Sequence, residues 1–87
     1  MATVWIPSVW QDHTGGEKVV QVPGSTIRQI INNLDASYPG MKELLMEDGA
    51  LKPDIAVAVD GELARMGVLE DVGETSEVQF MPAIAGG

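Results

Sequence analysis

The chain has 87 residues, 45% of them hydrophobic, with one histidine and no cysteine. That composition suits one domain with a continuous core, and it excludes a disulfide scaffold, a thiolate nucleophile and cysteine-ligated zinc. Five Lys and Arg against thirteen Asp and Glu leave a net charge of −8, and the cations are scattered, so the clustered positive charge that nucleic acid demands is missing and a basic protein surface is the better complement.

Residues 2–9 are rich in β-branched and aromatic side chains and predict a first strand, with Val4 and Ile6 on one face and Trp5 and Pro7 on the other. Pro7 lacks a ladder donor and belongs at an edge or a frayed end. Asp12–Gly16 is a turn cluster and Glu17–Val22 a second strand, so a hairpin is the natural join. Pro23-Gly24-Ser25-Thr26 announces a helix, with Ser25 or Thr26 as N-cap. Ile27, Ile30, Ile31, Leu34 and Tyr38 then recur at helical spacing, a stripe wide enough to cover a sheet, until Pro39-Gly40 stops it. Met41–Met46 adds a further helical turn before the Glu47-Asp48-Gly49 turn.

Ile55-Ala-Val-Ala-Val59 alternates large and small apolar residues, with a large face for the helix and an alanine face open to something lying flat. Asp60-Gly61 is a turn signal, Glu62–Met66 a short strand, and Val68–Val72 a helical turn or loop. Gly73–Ser76 leads into a last strand at Glu77–Pro82, with Val78 and Phe80 facing the core. The pattern is ββαββ in a single α+β domain.

The final ten residues carry no charge, and after Pro82 the side chains shrink to end on Gly86-Gly87. A glycine pair threads a narrow channel and lets backbone approach closely, leaving the terminal carboxylate of Gly87 as its only reactive group. A carboxylate is a poor electrophile until one oxygen becomes a leaving group, for example by adenylation; sulfur or an amine then attacks. Such chemistry wants a slender tail on a rigid, sheet-based body.

A body of this pattern ending in Phe80-Met-Pro-Ala-Ile-Ala-Gly-Gly87 resembles the MoaD/ThiS family of ubiquitin-like sulfur carriers. The resemblance runs essentially the whole length, through the opening hairpin, the helix at 26–38 and the Gly73–Val78 run. Ile6-Pro-Ser8, His13-Thr-Gly-Gly16 and Pro82–Gly87 look most like the CysO-type carriers of cysteine biosynthesis. The resemblance implies a ubiquitin-like β-grasp, a mixed four- to five-stranded sheet on one main helix, with the domain at residues 1–82 and a flexible tail at 83–87. It implies that a ubiquitin-activating-type enzyme uses ATP to adenylate Gly87, which becomes a thiocarboxylate and gives its sulfur to an accepting synthase. Gly86 and Ala85 then serve access to the partner's active site, and a metalloprotease is a further candidate partner. The protein itself would be a regenerated co-substrate, not a catalyst, with no bound cofactor. Two alternatives stay open: the small subunit of a molybdopterin synthase, and a modifier forming isopeptide bonds with lysines.

The strand alternation also places a docking face. With Val4, Ile6, Val57, Val59, Val78 and Phe80 toward the helix, Trp5, Pro7, Ala56, Ala58 and Met81 fall on the open side, two large apolar groups beside small ones. His13 reads as an exposed turn residue, and the acidic pairs Asp60/Glu62 and Glu47/Asp48 as solvated turns without calcium-loop spacing. No metal site is expected. No apolar run approaches the ~18 residues of a membrane span, and no basic segment precedes an apolar one at the N-terminus. The expected location is cytoplasmic, away from nucleic acid and membrane.

Overall fold

The computed structural model describes residues 1–82. The predicted tail at 83–87, with Ala85, Gly86 and Gly87, lies outside the described residues. Five strands form one mixed sheet: β1 (Ala2–Trp5), β2 (Val19–Val22), β5 (Ile55–Val59), β6 (Glu62–Leu63) and β7 (Glu77–Pro82), in the order β2-β1-β7-β5-β6. The first and last strands of the chain are neighbours and run parallel at the centre, and every other pairing is antiparallel. Helix α1 (Ile27–Ser37) supplies the layer over one face, followed by the short α2 (Met41–Leu45) and a two-stranded hairpin, β3 (Met46–Glu47) and β4 (Ala50–Leu51). This is the ubiquitin-like β-grasp, with five strands in its main sheet.

Helix α1 starts where the sequence places it, and the N-cap is Thr26. Its Oγ1 accepts the Gln29 N–H at 3.2 Å, while Gln29 Oε1 accepts from the Ser25 N–H at 2.8 Å. This reciprocal arrangement is close to a capping box, shifted by one residue on its return bond. Ile27, Ile30, Ile31 and Leu34 are fully buried and meet Val4, Ile6, Val57, Val78 and Phe80 from the sheet. Gly24 lets the chain enter the helix closely. It sits at φ +150°, and a Cβ there would come within 3.0 Å of both the Ile30 backbone nitrogen and its Cδ1. Backbone cannot move aside as a side-chain tip can, so Gly24→Ala is expected to cost about 2 kcal/mol, read as a lower midpoint in chemical denaturation.

Three predicted strands are shorter in the structure, the second of them running over Val19–Val22 rather than from Glu17. β1 stops at Trp5, and Ser8–Thr14 coils into a 3₁₀ helix that absorbs the predicted Asp12–Gly16 turn, so β1 and β2 pair without a tight hairpin loop. Local hydrogen bonds explain the change: Gln11 Nε2 donates to the Ile6 carbonyl at 3.0 Å, and the buried Thr14 hydroxyl lies 2.9 Å from the Glu17 carbonyl. The strand predicted at Glu62–Met66 ends at Leu63, because the Glu70 carboxylate accepts the Arg65 and Met66 N–H groups at 3.1 and 3.3 Å and folds the chain away. Asp48-Gly49 and Asp60-Gly61 both take positive φ at each central residue, as two-residue hairpin loops require. The first closes the β3–β4 hairpin, which the sequence shows only as a turn.

Candidate functional site

Burial alternates along β7: Val78 and Phe80 face the helix, while Glu77, Gln79 and Met81 face out. The same period holds along β1, with Val4 buried and Trp5 exposed. Pairing then aligns one row across the uncovered face, Val19–Trp5–Gln79–Ala58–Leu63, one residue from each strand. Met81 lies beside Ala56 in the next row. Trp5 is 41% exposed and Met81 39%, large apolar groups that the fold leaves uncovered. Trp5 is nonetheless oriented, since its Nε1 donates to Glu77 Oε1 at 3.3 Å.

Pro7 lies two residues beyond the end of β1, half-buried at the N-cap position of the 3₁₀ helix. Trp5 and Met81 stand one row apart on the open face, toward the end where β7 finishes at Pro82, and Pro7 lies beyond the paired residues of β1. Ala56 is open, as predicted. Ala58 is only 6% exposed, because its register partners Gln79 and Leu63 flank it with longer side chains. Leu63, 65% exposed, belongs to this face and was not predicted as part of it. Its signal was available: counting two residues on from the Asp60-Gly61 turn places it opposite Ala58.

The other polar groups serve the fold. Asp60 accepts from the Ser76 hydroxyl and the Glu77 N–H, both at 2.9 Å, tying the β5–β6 turn to the start of β7. His13 is exposed at the end of the 3₁₀ helix. Trp10 packs against the margin of the core. Among the described residues, no three His, Asp or Glu converge as metal ligands, no buried side-chain nitrogen or oxygen lacks a partner, and no helix is long and apolar enough to cross a membrane.

Residues 4–87 match the model of the ThiS family. The chain belongs to that family. The sulfur carrier protein CysO of Mycobacterium tuberculosis is 36% identical over 90 aligned residues, which cover 98% of this chain and 97% of the relative. A chain of the crystal structure of the Amycolatopsis orientalis BexX/CysO complex superposes with a TM-score of 0.96 at 35% identity, covering all of both chains. Small archaeal modifier protein 3 of Haloferax volcanii is 31% identical over 65 residues, 72% of this chain and 71% of that protein. Family membership is consistent with the β-grasp body described here, and the likeness to CysO spans the body and the stretch beyond Pro82 alike.

Proposed function

We propose that this protein is a sulfur carrier of cysteine biosynthesis that works through a thiocarboxylate at Gly87. The observation that carries the reading is the near-complete match to CysO carriers, in sequence and in fold, by a chain whose last matched residues are Gly86-Gly87. The Gly87 carboxylate attacks the α-phosphorus of ATP on a ubiquitin-activating-type partner, and pyrophosphate leaves. Sulfide-level sulfur then displaces AMP from the acyl carbon and leaves –C(=O)S⁻. The thiocarboxylate sulfur attacks a carbon of an acceptor held by a sulfur-accepting synthase and displaces that carbon's leaving group; hydrolysis of the resulting acyl–product bond, the step a metalloprotease would serve, frees the product and restores the Gly87 carboxylate. Gly86 and Ala85 present little bulk to a narrow partner channel. This chain supplies no acid, base or metal to these steps; it presents the carboxylate and docks.

Docking falls to Trp5, Pro7 and Met81, a reading supported by the exposure of Trp5 and Met81 on neighbouring rows of the open face. Exposed large apolar groups beside small ones form the kind of centre on which interface energy concentrates. Trp5→Ala and Met81→Ala are each expected to weaken binding to the adenylating enzyme about tenfold. Leu69→Ala is the control: that residue is 54% exposed on the 3₁₀ turn Gly67–Leu69 that packs against α1, away from the open sheet face. Equal losses for all three variants, in a titration followed by tryptophan-independent calorimetry, would remove the docking face.

The likeness to small archaeal modifier protein 3 favours one second reading, a protein modifier that uses the same activation with a lysine amine as acceptor. Isotopically labelled sulfide separates the two. Label that moves from the carrier into free cysteine supports the proposal; Gly87 recovered in amide linkage to lysines, with no labelled cysteine, supports the modifier.

A further inference from the structure

The two edges of the main sheet are unlike. At the β6 edge, Ala64 N–H donates to the Val57 carbonyl at 2.9 Å, so Leu63 and Arg65 are the residues whose backbone groups point away from the sheet. The Arg65 donor is already held by the Glu70 carboxylate, which leaves this edge one free N–H, that of Leu63. Such capping is a common defence of a sheet margin. At the β2 edge, Ile6 N–H donates to the Lys18 carbonyl at 2.8 Å, and the β1–β2 register then turns Val20 and Val22 inward and Val19 and Gln21 outward. Among the described residues, nothing bonds the N–H or carbonyl groups of Val19 and Gln21. Two successive outward residues, four hydrogen-bonding groups, are unprotected.

We propose that this edge takes up an extended segment of a partner protein as a sixth strand, apolar beside Val19 and basic beyond it. The side chain of Val19 stands on the open face next to Trp5, so an added strand continues the row Trp5–Val19 and joins the docking face without a break. Main-chain bonds supply affinity in this mode, and alternate side chains supply selectivity. The chain's net charge of −8 favours a basic segment overall; at the edge itself the exposed Glu17 and Lys18 offset one another. The same charge opposes a second copy, which would bring −8 against −8 along an edge offering four bonds. The proposal rests on the carrier reading only in requiring a protein partner.

Amide exchange on the full chain, alone and with the purified adenylating enzyme from the same genome plus ATP, tests it. In the free protein Val20 and Val22 exchange slowly while Val19 and Gln21 exchange fast. With the enzyme, Val19 and Gln21 become protected. Proline substitution removes these outward donors without taking a bond from the β1–β2 ladder, so Val19→Pro and Gln21→Pro stay folded and each weaken binding about fivefold. Val20→Pro, which loses an inward bond, unfolds instead. Unchanged exchange at both amides overturns the proposal, and thiocarboxylate formation in the same sample distinguishes that failure from failure of the carrier reading. Protection that rises with protein concentration alone, without enzyme, overturns it in favour of a second copy.

Discussion

Deleting Gly87 abolishes thiocarboxylate formation and leaves thermal stability within about 1 °C of the parent, since the deletion takes away no packed side chain. Activity and folding separate here for a physical reason. The core is complete within the described residues: Val78 and Phe80 are the last buried side chains of β7, which ends at Pro82. A glycine has no side chain to pack, so what its deletion removes is the carboxylate. Replacing Gly87 by alanine is the milder form, keeping the carboxylate but adding a methyl beside it. It is expected to slow activation severely while leaving the melting curve in place. A truncated protein that still gains sulfur would move the reactive group elsewhere.

The opposite separation is expected for Leu34→Ala. Leu34 is fully buried on α1 against the sheet, and alanine is the better helix former, so the helix itself is not weakened. What is lost is packing: burial of the removed carbons plus the cavity they leave, together about 3 kcal/mol. In a domain of this size that lowers the melting temperature by roughly 15 °C. Asn32→Ala, exposed on the same helix, is the control and shifts stability by less than about 0.5 kcal/mol. Calorimetric melting of the three proteins checks this. Carrier activity per folded molecule stays at the parental level in Leu34→Ala below its transition, because that residue lies in the core, on the side of the sheet opposite Trp5 and Met81.

Much of this architecture is legible in the sequence where a period repeats often enough to be unambiguous. Ile27, Ile30, Ile31 and Leu34 define the covered face of α1, and Val78 and Phe80 set the phase of β7, whose predicted bounds coincide with the observed Glu77–Pro82. The failures share a cause. Beyond Pro7, Val9 and Trp10 carry strand-forming side chains, but β1 has no partner there, and the Gln11 and Thr14 hydrogen bonds favour a 3₁₀ coil. β3, β4 and β6 are two residues each, too short for alternation to register. Tertiary contacts decide such pieces.

The candidate site divides the same way. Alternation alone puts Trp5 and Met81 on the uncovered face, and their register across parallel β1 and β7 brings them to one end of it. Leu63 is missed because a two-residue strand hides its phase. The edge at Val19 and Gln21 is invisible to sequence reading, since which backbone groups point outward depends on pairing register and on strand order. Gly87, the proposed reactive residue, lies outside the described residues, and its reading rests on the composition of the tail and on the family resemblance.

The most direct test of the carrier reading is the mass of the intact protein and of its C-terminal peptide after incubation with ATP, sulfide and the purified adenylating enzyme. The predicted result is replacement of one oxygen by sulfur, localised to Gly87. An unchanged mass, with the same enzyme preparation shown to load a known carrier, would contradict it.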